Sequence, residues 1–198
     1  MVNELLLATN NEHKRREFVR LFPGVTILMP REVGFSFDFE ENGTTFLANA
    51  QGKAMTLYER ARRPVIADDS GLCVDGLGGE PGILSARYGS PPGGEPLGAP
   101  RRNSYLLWRM QGMKNRAAYF VCCLVVVLGE DRFVVAQETV HGSIADAPRG
   151  ANGFGYDPLF LFPERGVTMA ELSETEKDEI SHRGRAARRI KALLAAGA

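Results

Sequence analysis

The chain has 198 residues, 44% of them apolar, which is enough for a sizeable core in one compact unit. Its 24 Lys plus Arg balance 24 Asp plus Glu, so no global field recruits nucleic acid or an anionic membrane, and any anion specificity must be local.

The opening MVNELLLATNN is too short and wrongly flanked for a signal peptide or an anchor. Within it ELLLAT predicts a buried strand, and NNEHKRREFVRLF, with Phe18, Leu21 and Phe22 at helical spacing, predicts a helix after it. A second strand is expected near VTIL. The irregular acidic segment DFEENG leads to a helix from about Thr45 to Arg63, stopped by Pro64. Phe46, Ala50, Ala54, Leu57 and Ala61 form its apolar face, and Thr45, Asn49 and Lys53 form a separate polar stripe. VIA predicts a short strand ending at Asp68 and Asp69, and DGLGGEPG a loop. Ser90 to Arg102 reads as an exposed loop or insertion, after which NSYLLWRMQGM resumes a helical pattern. AAYFVCCLVVVL and RFVVAQETVHG, joined by GED, predict a hairpin. Cys122 and Cys123 within it read as core filling; with Cys73 they make an odd set without the spacing of a disulfide framework or a zinc site. Ser173 with Glu176 makes a capping box, and RAARRIKALLAA closes the chain as an amphipathic helix. No stretch approaches a membrane span, so a cytoplasmic protein is expected. Strands both separated by helices and joined by a hairpin indicate an α/β fold, a mixed β-sheet flanked by helices.

Five stretches carry groups suited to a charged ligand. In ATNNEHK a strand gives way to a helix, so backbone N–H groups and the helix dipole face the loop; Thr9 and Asn11 add neutral donors and Lys14 adds charge. The set suits phosphate without being a P-loop, and an ordinary Asn N-cap followed by a solvated Lys accounts for the same residues. FEENGTTFLANAQGKA supplies Glu40 and Glu41 before a turn, then Asn49 and Lys53 on one helical stripe. These are either solvated charges or a carboxylate for a hard divalent cation with a lysine for a phosphate. Asp68 and Asp69, at the end of an inward strand, need a compensating positive charge from a metal or a charged substrate, unless one of them caps a turn before Gly71. GANGFGYDP offers close backbone approach and rings for stacking a flat heterocycle, or else a glycine-rich corner with Phe154 and Tyr156 in the core. EKDEISHRGRA brings Lys177, His182 and Arg183, donors suited to a base oxygen or ring nitrogen, or a His–Arg pair on the surface.

These stretches, in this order, resemble the inosine triphosphate pyrophosphatase family, the HAM1-like non-canonical purine nucleoside triphosphate pyrophosphatases. IADDSGLCVDGLGGEPGILSARY and FGYDPLF…ELSETEKDEISHRG are the specific parts, and the likeness covers nearly the whole chain. The resemblance implies a single domain over residues 1–198, elongated and two-lobed, with the active site in a cleft between lobes. It implies hydrolysis of the α–β bond of ITP, dITP or XTP with Mg²⁺, in a homodimer, with a purine nucleoside triphosphate as the partner and neither nucleic acid nor membrane. Thr9, Asn11 and Lys14 then resemble the triphosphate loop, assisted by Lys53. Glu41 resembles the metal ligand, Asp69 the metal-associated general base, and Ser70 a neighbour of the substrate. Phe154, Gly155, Tyr156, Asp157, Lys177, His182 and Arg183 resemble nucleotide- and base-binding positions. The Pro- and Gly-rich Ser90 to Pro100 segment departs from the family's pattern.

On this reading Asp69 orients and deprotonates a water, Lys14, Lys53 and Mg²⁺ neutralise the phosphates, and Asp68 supports. Arg183 or His182, aimed at the oxygen on position six of the purine, would be left facing a donor if ATP bound. The competing readings are a broader or pyrimidine-directed triphosphate pyrophosphatase, and a regulator that holds its nucleotide uncleaved; retention of Glu41, Lys53 and Asp69 together opposes the regulator.

Overall fold

ELLL forms β1 (Glu4–Leu7), which lies between two parallel neighbours, β2 (Thr26–Leu28) and β3 (Val65–Val74). Leu5 sits opposite Ile27, and Leu6 opposite Val65. The sheet continues through β4 (Ala117–Gly129), β5 (Arg132–Ile144), β6 (Phe160–Phe162) and β7 (Val167–Thr168), in the order β2-β1-β3-β4-β5-β6-β7. β5, β6 and β7 pair antiparallel, so the sheet is mixed, as its strand-and-helix order predicts. Among the described residues five α-helices accompany it: α1 (Glu12–Leu21), α2 (Phe46–Ala61), α3 (Ala99–Arg109), α4 (Glu174–Ile180) and α5 (His182–Ala196). These elements come from a computed structural model that describes residues 2–91 and 93–196. Among these residues, no helix is long and apolar enough to cross a membrane.

The described residues fall into two compact units. Residues 2–69, 122–138 and 182–196 make the first, and residues 70–91, 93–121 and 139–181 the second. In the first, strand alternation sends successive side chains to opposite faces of the sheet. Leu5, Leu7, Ile66, Cys122, Leu124 and Val126 pack with Phe18 of α1 and Ile190 of α5. Leu6, Val65, Ala67, Cys123, Val125 and Val127 pack instead with Ala50, Ala54 and Leu57 of α2. The adjacent cysteines thus serve two cores, and all three cysteines are free and buried. The second unit has its own core, built on Leu72, Leu106, Phe120, Tyr156 and Phe160.

Two elements differ from expectation. β3 does not end at the paired acids but runs through them to Val74, because each carboxylate meets a cation and nothing forces the chain out of the sheet. α3 starts at Ala99, inside the segment read as a loop; Pro100 sits in its first turn, where the missing N–H costs no hydrogen bond. Pro92 of that segment lies outside the described residues.

Candidate active site

Because Asp68 and Asp69 are neighbours on a strand, they point to opposite faces. Asp68 shares its face with Ile66, where α1 and α5 pack, and is 3% exposed. Lys14 of α1 approaches it at 3.1 Å, and Arg183 of α5 grips its Oδ2 with Nε at 3.0 Å and Nη2 at 2.9 Å. The other arm of Arg183 reaches Glu17 Oε2 at 2.6 Å, and the Cys122 thiol donates to Asp68 Oδ1 at 3.4 Å. Burial alone pushes the Asp68 carboxyl up. Arg183, Lys14 and Lys53 outweigh it and hold the group well below the usual carboxylate range.

Asp69 shares its face with Ala67 and turns to α2, on which Asn49 and Lys53 lie one turn apart. Lys53 Nζ donates to Asp69 Oδ1 at 3.0 Å, to Glu41 Oε1 at 2.7 Å and to the Asp68 carbonyl at 2.9 Å, three acceptors for its three protons. Asn49 Nδ2 donates to Asp69 Oδ2 at 3.2 Å. Burial raises the Asp69 carboxyl, Lys53 pulls it back and Glu41 pushes it up again; the net direction is upward, toward a group able to take a proton. Burial lowers the Lys53 amine, but Asp69 and Glu41 together carry it above its ordinary value, so it stays charged.

A hard divalent cation suits this donor set. Two carboxylates from separate elements, Glu41 and Asp69, already converge on one ammonium, and Mg²⁺ is commonly held by one or two carboxylates with substrate phosphates completing its shell. Among the described residues no group of three or more His, Cys, Asp or Glu side chains is arranged to hold a metal.

The residues expected to form a triphosphate loop take mixed parts. Asn11 caps α1, its Oδ1 accepting from the backbone N–H groups of His13 and Lys14 at 2.9 and 3.2 Å. Thr9 Oγ1 accepts from the Asn11 N–H at 3.2 Å. The N-cap reading therefore holds for Asn11, whereas Lys14 is ion-paired rather than solvated.

In the second unit, Asp157 and Lys177 form a buried ion pair at 2.6 Å. Asp157 Oδ2 also accepts from the Phe154 N–H at 2.7 Å, and Lys177 Nζ stands 4.9 Å from the Phe154 ring centroid. The two aromatics divide. Phe154 is half-buried against the ammonium, whereas Tyr156 belongs to the core and donates to the Ser85 carbonyl at 2.9 Å. Gly153 and Gly155 carry positive φ angles of 72° and 67°. A Cβ at Gly153 would collide with Asp157 Oδ2, so this glycine permits the close approach as well as the turn. Asn103 of α3 donates to the Gly155 carbonyl at 3.1 Å and fixes the loop from below.

Ser70 follows Asp69 in β3 and belongs to the second unit, and His182 is buried at the start of α5 in the first. Glu17, to which the sequence assigned no role, joins the acid cluster, and Cys122, expected as core filling, lies in the core and also touches Asp68. Glu17 stands three residues after Lys14 and just before the buried Phe18, so the helical period places it beside Lys14, but nothing local announces Arg183 as its partner.

The chain is also similar in sequence and fold to known proteins. The model of the Ham1 family matches residues 5–193. The chain is 50% identical over 183 residues to the dITP/XTP pyrophosphatase of Treponema denticola, covering 92% of this chain and 94% of that one. It is 47% identical over 189 residues to the dITP/XTP pyrophosphatase of Geobacillus kaustophilus, with 93% and 91% covered. Among solved structures, the Staphylococcus aureus Ham1 protein superposes with a TM-score of 0.87 at 39% identity, covering 98% of this chain and all of that one. The family model spans both units and every predicted site residue, and the chain belongs to the Ham1 family.

Proposed function

We propose that this chain is a Mg²⁺-dependent pyrophosphatase that hydrolyses ITP, dITP and XTP to the monophosphate and pyrophosphate, clearing non-canonical purines from the nucleotide pool. The observation that carries the reading is the convergence of Glu41 and Asp69 on Lys53, on the opposite face of β3 from the Asp68–Lys14–Arg183 cluster. The names of the relatives, dITP/XTP pyrophosphatase, support the substrate class. The whole chain is taken as one pyrophosphatase domain, since the family model spans nearly all of it.

Asp69 is the general base: its carboxylate takes a proton from water as the water oxygen bonds the α-phosphorus and the bond to the β-phosphate oxygen breaks. Glu41 and Asp69 would hold Mg²⁺, which when bound would neutralise charge on the phosphates. Lys14, beside the loop that Thr9 and Asn11 shape, would bind the triphosphate, and the Lys53 ammonium, held by Asp69, Glu41 and the Asp68 carbonyl, would oppose the charge that accumulates on departing pyrophosphate. Ser70 would lie beside the substrate.

In the second unit, Phe154 offers a face for the base, Lys177 a donor for the oxygen at position six, and Asp157 an acceptor for a ring N–H. Arg183, expected as a base reader, is committed to Glu17 and Asp68; we assign it to holding Asp68 and give the donor role to Lys177. Adenine turns an amino group toward Lys177, setting donor against donor where a base oxygen would accept. Gly153→Ala, which drives a methyl group into Asp157 Oδ2, is expected to raise KM for ITP about tenfold or more, by displacing the Asp157–Lys177 pair. Steady-state kinetics check this.

The experiment for the function as a whole is pyrophosphate release from ITP, dITP, XTP, ATP, GTP and dTTP, with Mg²⁺ and with EDTA. Release from the first three alone, abolished by EDTA, is the expected result. Equal release from all six would retain the phosphate chemistry and refute the base assignment, and binding without release would refute catalysis. A homodimer in the cytoplasm, implied by the resemblance, completes the proposal, and sedimentation reads the assembly.

A further inference from the structure

We propose that Asn49 is a positioning residue that sets the plane of the Asp69 carboxylate, an inference that rests on the reading of Asp69 as the base. Asn49 is 1% exposed, and both ends of its amide are used. Its Nδ2 donates to Asp69 Oδ2 at 3.2 Å, and its Oδ1 accepts from the Gly43 N–H at 2.8 Å. Gly43 closes the acidic segment that carries Glu41, so one side chain ties that segment to β3.

The need for such a tie follows from the torsion. Rotation about the last bond of an aspartate is broad, so the backbone alone does not decide where the carboxylate lone pairs point. Two donors on different oxygens do decide it. Lys53 holds Oδ1 and Asn49 holds Oδ2, both from one face of α2, and each oxygen keeps a lone pair for a water or a cation. If Asn49 were removed, Lys53 would remain as a single pivot about which the carboxylate could turn.

Gly43 supplies a second, independent sign that this contact is built in. A Cβ at position 43 would come 2.5 Å from Asn49 Oδ1 and 2.9 Å from Ala48 Cβ, although the Gly43 backbone does not adopt a left-handed conformation. Glycine is required there for the approach of Asn49 rather than for a turn. The arrangement puts the cost of losing Asn49 on the chemical step, because its side-chain amide bonds the base, Asp69, and the Gly43 backbone.

The test uses Asn49→Asp, which preserves shape and the acceptor for Gly43 but deletes the donor, and Asn49→Leu, which deletes both bonds without adding charge. Gly43→Ala presses on Asn49 from the far side. Each is measured for kcat and KM with ITP, for thermal midpoint, and for calorimetric affinity toward the uncleavable α,β-methylene analogue of ITP. Expected is a fall in kcat of about a hundredfold in the two Asn49 variants, and the same direction in Gly43→Ala, with KM and analogue affinity within about threefold of the parent. A kcat within about threefold of the parent in either Asn49 variant overturns the proposal. So does a loss of analogue affinity in step with kcat, which would make Asn49 a general support of the fold. Asp69→Asn is measured alongside: if it too keeps its kcat, the assignment of Asp69 fails, whereas an inactive Asp69→Asn beside normal Asn49 variants refutes only the positioning role.

Discussion

Asp69→Asn is expected to lower kcat for ITP by about 100- to 10,000-fold, the usual contribution of a positioned general base, while nucleotide affinity changes little. The substitution preserves size, but it removes the charge opposite Lys53 and replaces one acceptor oxygen by an amide that cannot accept from both Lys53 and Asn49, so the proton acceptor and the charge offered to a cation are lost together. The case for Asp69 over its neighbour is electrostatic. Asp68 is clamped by Arg183, Lys14 and Cys122 and held strongly acidic, which makes it a poor proton acceptor. Asp69 is raised by burial and by Glu41, which favours uptake. Asp68→Asn should therefore act through folding and through the placement of Lys14. A normal kcat in Asp69→Asn, with ITP as substrate and Mg²⁺ present, would remove the base assignment.

Arg183→Ala is expected to be the most destabilising single change in the first unit. Truncation leaves two buried carboxylates, Asp68 and Glu17, without their shared cation, and breaking a buried pair in this way costs about 3–5 kcal/mol. For a chain of this length that is a fall of about 6–20 °C in thermal midpoint. Arg183→Lys should recover little, since an ammonium cannot reproduce the fork that holds Asp68 through Nε and Nη2 while reaching Glu17. The pH dependence has a definite sign. Asp68 has a folded value below its ordinary 3.8, so the stability it contributes is present above that pH and is lost as pH falls through the lower folded value. In the variant the acids that lose Arg183 protonate more readily, so the gap in urea midpoint between parent and variant should be widest near neutrality and shrink in acid. A variant as stable as the parent at pH 7 would show that Asp68 and Glu17 find other partners.

The sequence made much of this site legible. ELLLAT, the Thr45–Arg63 helix and the GED hairpin carry strong periodic or turn signals, and each appears where the pattern puts it. The mixed sheet followed from their order. The continuation of β3 through two acids was not legible, because two adjacent charges read locally as the end of a buried strand. Only long-range partners, Lys14, Lys53 and Arg183, make them tolerable inside the sheet. The same distance hid the division of labour between the acids, which follows once the strand is known to continue and alternation sends them to opposite faces. Tyr156 and Phe154 were inseparable as sequence, since both fit a glycine-rich corner, and what parts them is the Ser85 carbonyl, 71 residues away.

The most direct test of the central claim is hydrolysis of ITP in water enriched in heavy oxygen, with Mg²⁺, followed by mass analysis of both products. Water directed by Asp69 at the α-phosphorus places the label in the monophosphate and leaves the pyrophosphate unlabelled. Label in the pyrophosphate would mean attack at the β-phosphorus and would contradict the placement of the base.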